Sequence, residues 1–97
     1  MSAPQFEWDD AKCASNVEKH GIDFEDAIAI FEQPALIYPS NRNHEDRWIA
    51  VGILEGLEIA VVFTRRGDAI RLISARRARK YERRAYRQAY PWGTPAR

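Results

Sequence analysis

The sequence predicts an α+β domain: two N-terminal helices, an antiparallel sheet of about four strands and a C-terminal helix. Three observations carry that expectation. Capping signals bracket two short stretches of helical period ahead of Pro34, and after Pro34 the apolar period falls from about 3.6 to 2. Four short apolar runs follow, joined by polar turns too short for a parallel crossover, before a last amphipathic stretch.

Taken in order, Asp9 or Asp10 caps a first helix that runs to His20, and Gly21 is placed to end it in the left-handed conformation. Asp23 caps a second helix from Phe24 to about Glu32. Ile22 staples onto Ala27, and Pro34 stops the helix. Ala35–Tyr38 reads as a short strand, Ser40–Asp46 as a polar loop, and Arg47–Leu54 as a second strand. Glu55-Gly56 turns the chain into Glu58–Arg65, and Arg66-Gly67-Asp68 turns it again into Ala69–Ala75. The third helix spans about Ala78 to Tyr90 and ends at Pro91, with Ala78, Tyr81, Ala85 and Ala89 as its apolar stripe. The helices are expected to cover one sheet face.

Ninety-seven residues suffice for one domain, 1–97, and not for two. With 45% hydrophobic and 30% charged residues, a packed core is expected rather than disorder. No apolar run approaches the ~18 residues of a membrane span, the N-terminus has no signal-peptide pattern, and the one cysteine, Cys13, cannot form an internal disulfide. A cytoplasmic protein without membrane contact is the expectation.

The formal net charge of +1 hides a strong asymmetry. Residues 1–64 carry four basic and twelve acidic side chains, a net −8, whereas residues 65–97 carry eleven basic and two acidic ones, a net +9. Such a division points to an anionic partner for the basic part, usually nucleic acid, unless the acidic half simply folds onto it. Ten of those eleven cations are arginines, which grip phosphate with paired hydrogen bonds. Arg79, Arg83 and Arg87 recur every four residues on the third helix with Lys80 and Arg84 beside them. Tyr81, Tyr86 and Tyr90 add rings, a mixture suited to single-stranded nucleic acid.

Metal chemistry is poorly supported, because Cys13, His20 and His44 show no zinc spacing, and no cofactor motif is present. RNA cleavage needs neither. The 2′-hydroxyl is already the nucleophile, so the protein must align it, move protons and neutralise the pentavalent phosphate. Arg65, Arg71, Arg76 and Arg77, from the last two strands and their ends, are candidate phosphate clamps. Arg47 opens a strand and either clamps phosphate or pairs with Glu45 or Asp46. Lys19 and His20 close the first helix, where they also suit its dipole, and His20 is a candidate general base or acid. Tyr86 is either functional or a partly buried helix residue.

Phe6-Glu-Trp-Asp9, then Lys12, Asn16 and Lys19-His-Gly21, followed by Phe24, Ala27 and Phe31, resembles the opening of the BrnT family. Arg47-Trp48 with Gly52, Val61-Val62, Thr64, Arg71 through Ala78, and Glu82-Arg-Arg-Ala-Tyr86 match the remainder in order. The resemblance covers about residues 6–86 and leaves the 91–97 tail, with Trp92, outside. It implies a RelE-like ribonuclease toxin of a type II toxin–antitoxin pair that cuts mRNA without a metal or cofactor. It also implies a small BrnA-like antitoxin that silences the toxin and supplies DNA binding. The family's recurrent polar positions fall on Lys19, His20, Arg47, Thr64, Arg71, Ser74, Arg76, Arg77 and Tyr86. By the general RelE-like pattern, catalysis is expected from Arg65, Arg76 and Tyr86 together with His20. RNA binding is expected from Lys19, Arg47, Arg71, Arg77, Lys80 and Arg83. Two departures stand out: Arg79 replaces the usual Thr or Ser of a capping box with Glu82, and the loop at 40–46 and the Glu55-Gly56 turn are short. The rival readings are a non-catalytic RNA- or DNA-binding module that uses the basic helix, and a protein-binding partner with no nucleic-acid role.

Overall fold

The computed structural model describes residues 5–40 and 46–91. His44, the Ser40–Asp46 loop beyond its two ends, and Trp92 with the rest of the tail lie outside the described residues. The elements run β1 (Gln5–Glu7), α1 (Asp10–His20), α2 (Phe24–Ala27) with a 3₁₀ turn (Ile28–Glu32), β2 (Leu36–Ser40), β3 (Arg47–Leu54), β4 (Leu57–Arg66), β5 (Ala69–Arg77) and α3 (Lys80–Ala89). The sheet has five strands in the order β1-β5-β4-β3-β2. The four later strands form the expected antiparallel meander. The addition is β1, which pairs in parallel with the start of β5, Glu7 opposite Arg71.

Local signals set most boundaries. The Asp9 carboxylate accepts from the N–H groups of Ala11 at 2.8 Å and Lys12 at 3.1 Å, so Asp9 rather than Asp10 is the α1 cap. Gly21 ends the helix at φ 71°, a left-handed value that a side chain would resist. Asp23 caps α2 in the same way, through Glu25 N–H at 2.9 Å. The second helix tightens into 3₁₀ geometry after one turn. At Gly52 an added Cβ would lie 3.0 Å from Ile30 Cβ, so glycine on β3 is what lets the 3₁₀ turn sit against the sheet.

Helices cover both sheet faces, not one. On the first face, Phe24, Ala27 and Ile30 pack against Ala50, Ile59, Val61, Phe63, Leu72 and Ala75. Phe31 bridges Phe6 of β1 and Phe63 of β4, with ring centroids 5.4 and 5.3 Å away. On the second face α3 packs Tyr86 against Ile49, Val51, Ala60 and Ala78. Sheet alternation demands this, because β3 and β4 are buried at consecutive positions and must be apolar on both sides.

The phase of α3 differs from the expected stripe. Ala78, Glu82 and Tyr86 face inward, whereas Tyr81 is 59% exposed and Ala89 is exposed. One tyrosine ring buries more apolar area than two alanines, and Arg76 supplies the counter-charge that lets a glutamate join it.

Because β1 stops at Glu7, no described strand pairs with the edge of β5 beyond Arg71, and Asn16 of α1 takes its place. Its side chain donates to Ala75 C=O at 2.9 Å and Ile22 C=O at 2.8 Å and accepts from Ala75 N–H at 3.1 Å. A buried asparagine thus closes the edge and draws the C-terminal end of α1 round towards the second sheet face.

Candidate functional site

With ten residues, α3 contacts β2 and β3 and leaves part of the second face uncovered. Strand register lays out the rows of this face, of which α3 buries Val51 and Ala60. One row across the sheet reads Leu36, Val51, Ala60, Arg76, the next Tyr38, Ile49, Val62, Ser74, and the outermost Ser40, Arg47, Thr64, Arg71, Glu7. A bulge opposite Val62 and Phe63 places Ile73 beside Ser74. The middle row forms the floor of a trough of about 420 Å³, and His20 comes in from α1, Arg47 from β3, Arg76 from β5, and Arg79 and Tyr81 from the start of α3. Lys19 and Lys12 line a shallower groove that shares His20, Ile73 and Ser74 with the trough.

One buried carboxylate organises the α3 end of this trough. Glu82, with a fully buried side chain, accepts from Arg76 Nη1 at 2.7 Å and Nη2 at 2.9 Å, from Arg79 N–H at 2.7 Å, and from the Tyr38 hydroxyl at 3.0 Å. Burial opposes its ionisation. The paired hydrogen bonds from Arg76 and the bond from Arg79 N–H outweigh that penalty, together with the charge of Arg76 and the bond from Tyr38, and its pKa is pulled down to about 2. Burial pushes the Tyr38 hydroxyl well above its usual range, as does the adjoining Glu82 carboxylate, so Tyr38 stays protonated and is no general base. The missing capping-box residue is explained here too. Arginine has no acceptor, so only the Glu82 half of the box closes on Arg79 N–H.

Of the residues expected from sequence, the structure brings His20, Arg47 and Arg76 together, with Lys19 alongside. The remaining arginines do not gather there. Arg65 is on the opposite sheet face, 5.5 Å over the Trp48 ring. Arg71 pairs with Glu7 at 3.0 Å, a carboxylate that Arg66 also approaches at 3.5 Å. Arg77 is exposed at the end of β5, aligned with Ile59 of the first face. Lys80 and Arg83 line a separate groove with Arg84, Arg87 and Gln88 along the outer side of α3. Arg83 donates to Ala78 C=O at 2.7 Å, and Arg87 holds Glu58 through two bonds. Tyr86, only 1% exposed, packs its ring 5.2 Å from Tyr90 and is a core residue.

Sequence reasoning missed Tyr38, Ser74, Arg79 and Tyr81 as members of the site. Plain strand alternation misleads here: with Arg65 opposite Ile70 it groups Arg65 with Ser74 and Arg76, and only the bulge opposite Val62 and Phe63 moves Ser74 and Arg76 to the other face, beside Arg71. Among the described residues no three His, Cys, Asp or Glu side chains form a metal-holding group. Burial pushes the Cys13 thiol up, with Asp23 accepting at 3.5 Å, so it is not an activated nucleophile.

An arginine-rimmed trough with one histidine at its edge, set on an open sheet face of a small α+β domain, has the chemistry that suits a phosphate group. Residues 8–82 match the family "Ribonuclease toxin, BrnT, of type II toxin-antitoxin system". The chain belongs to that BrnT family. Its structure is similar to the crystal structure of the Brucella abortus ribonuclease toxin, BrnT, with a TM-score of 0.67 and 33% identity over 80% of this chain and 100% of that one. No curated protein gives a sequence match. Among the described residues no helix is long and apolar enough to cross a membrane.

Proposed function

We propose that this chain is an endoribonuclease toxin that cuts mRNA by attack of the 2′-hydroxyl, needs no metal, inhibits translation, and is silenced by a BrnA-like antitoxin. The observation that carries the reading is the convergence of His20, Arg47, Arg76 and Arg79 on one trough. The P–O2′ bond forms as the P–O5′ bond breaks, leaving a 2′,3′-cyclic phosphate. A proton leaves the 2′-oxygen and another reaches the departing 5′-oxygen. His20 is the proton-transfer group, since among the described residues lining the trough its imidazole is the one side chain with a nitrogen that can both take and give a proton. Arg47, Arg76 and Arg79 stabilise the added negative charge that a metal would otherwise balance. Arg76 spends three of its five N–H groups on Glu82 and on Arg77 C=O, and presents the rest from a fixed plane. RNA leaving the trough past Arg79 meets Lys80 and Arg83 on α3. DNA is engaged only through the antitoxin complex.

The test is incubation of the purified chain with labelled RNA in EDTA. Cleavage to a cyclic phosphate end is expected, reduced by ~10²–10⁴ in His20→Ala. No product from any RNA, or full activity in both His20→Ala and Arg47→Ala, overturns the assignment and favours a binding module instead.

A further inference from the structure

The trough floor carries a chemistry that phosphate does not need. In the outermost row of the sheet the half-buried positions on this face are polar: Ser40, Arg47, Thr64, Arg71. One row in, the floor is Ile49 and Val62, extended by Ile73 at the bulge, with Pro39 and two tyrosines at the sides. Tyr86 of α3 covers Ile49, but Val62 and Ile73 stay only half-buried in the recess. Leaving those two apolar side chains partly uncovered costs free energy that serine or threonine at the same positions would avoid.

The two tyrosines differ in a way that suits a flat ligand. Tyr38 is pinned, because its hydroxyl donates to Glu82 at 3.0 Å and its ring is thereby held as a fixed wall. Tyr81 stands on the first turn of α3, 59% exposed, next in the lining to Arg79. Every base offers a ring face, and stacking beside a cationic rim is how single strands are held without reading their sequence by hydrogen bonds. The volume of about 420 Å³ lies within the usual range for small-ligand sites. A duplex keeps its bases stacked and paired and cannot deliver one to a sheet floor unless it is first flipped out.

We infer that the trough is a nucleotide subsite, in which one unstacked base of single-stranded RNA lies on the Ile49–Val62–Ile73 floor between Tyr38 and Tyr81 while its phosphate meets the arginine rim. The inference rests on the ribonuclease reading and adds to it that one position of the substrate must be unpaired and must carry a base. Tyr81 and Val62 are ligand-contacting residues in this scheme, separate from the proton transfer at His20.

Two measurements test it and fail independently of the ribonuclease reading. In the first, the full chain is titrated with a nucleoside 5′-monophosphate and with inorganic phosphate, followed by NMR shifts. The mononucleotide should bind roughly tenfold tighter, and Tyr81→Ala or Val62→Thr should remove most of that margin while phosphate affinity is unchanged. Tyr81 is exposed, so its removal leaves the fold intact, and Val62→Thr keeps the side-chain shape if Tyr81→Ala is uninformative. Equal affinity for the two ligands overturns the subsite, as does a margin that neither variant touches. In the second, single-stranded RNA substrates carry one abasic residue, moved along the sequence. Cleavage efficiency should fall about tenfold when the gap reaches one particular position, with KM rising more than kcat falls. Uniform cleavage of the whole abasic series overturns the subsite and leaves the enzyme standing. If the unmodified RNA is not cut at all, the enzyme reading fails, and the mononucleotide titration still decides the subsite.

Discussion

Replacing Glu82 by glutamine keeps the shape of the side chain and removes the charge on which three elements converge. Its carboxylate takes both Arg76 guanidinium nitrogens, Arg79 N–H and the Tyr38 hydroxyl, and is itself fully buried. In the variant an amide NH₂ faces donors, and Arg76, whose side chain is 14% exposed, loses its counter-ion. Breaking a buried pair from one side typically costs ~3–5 kcal/mol. The titration route gives a similar figure. A pKa drawn from 4.5 down to about 2 corresponds to ~3 kcal/mol of stabilisation of the charged form. For a domain of this length, whose total stability is of order 5–15 kcal/mol, that lowers Tm by roughly 12–24 °C.

The pH dependence identifies the cause. The folded pKa lies below the unfolded one, so the stabilisation is complete above about pH 4.5 and is lost as pH falls through that value towards 2. Urea unfolding followed by circular dichroism should show wild type and Glu82→Gln separated by ~3 kcal/mol at pH 7, with the gap closing steadily below pH 4.5. The remaining carboxylates titrate in both proteins and cancel in the difference. A gap below ~1 kcal/mol at pH 7, or one that stays constant down to pH 3, refutes the reasoning.

The other expectations concern single contacts. Asn16→Ala strips two hydrogen bonds from the β5 edge and a third from Ile22 C=O, and leaves buried backbone groups of Ala75 unsatisfied; a loss of ~2–4 kcal/mol is expected by urea unfolding. Gly52→Ala forces the 3₁₀ turn off the sheet at Ile30 and should cost ~1–3 kcal/mol by the same assay. Arg65→Ala should leave RNA cleavage unchanged in a gel assay, since its guanidinium sits over Trp48 on the face away from the trough.

Much of the architecture was written in local signals. Asp9 and Gly21 bracket α1, Asp23 opens α2, and β3 occupies the whole apolar run from Arg47 to Leu54. The misses share a physical cause, in that each depends on a partner distant in sequence. Three residues, Gln5–Glu7, become a strand only because β5 offers an edge more than sixty residues later. A glutamate at an inward helical position reads as an error of phase until the Tyr38 hydroxyl, 44 residues earlier in the chain, is seen beside it together with Arg76. Strand alternation alone would have kept Arg65 with Ser74 and Arg76, because the bulge that turns those two to the face of Arg71 has no mark in the sequence. Nor was alternation sufficient to find Tyr38 or Arg79, which reach the trough through sheet register and through the crossing of α3.

Whether the Tyr38–Glu82–Arg76 cluster exists for stability or for the site is decidable. Well-packed apolar replacements of buried ion pairs are often neutral or stabilising by ~1–4 kcal/mol, so the cluster is weak evidence of a need for stability. The triple change Tyr38→Phe, Arg76→Met, Glu82→Leu removes all three polar side chains and takes a partner from only Arg79 N–H and Arg77 C=O, both on exposed residues. That protein should unfold within ~2 kcal/mol of wild type, far less than the sum of the single changes. It should nonetheless lose RNA cleavage, because the guanidinium fixed on the trough wall is gone. Retained cleavage would show that Arg76 is only structural. A collapse in stability larger than that of Glu82→Gln alone would show that the cluster holds the sheet and helix together for their own sake.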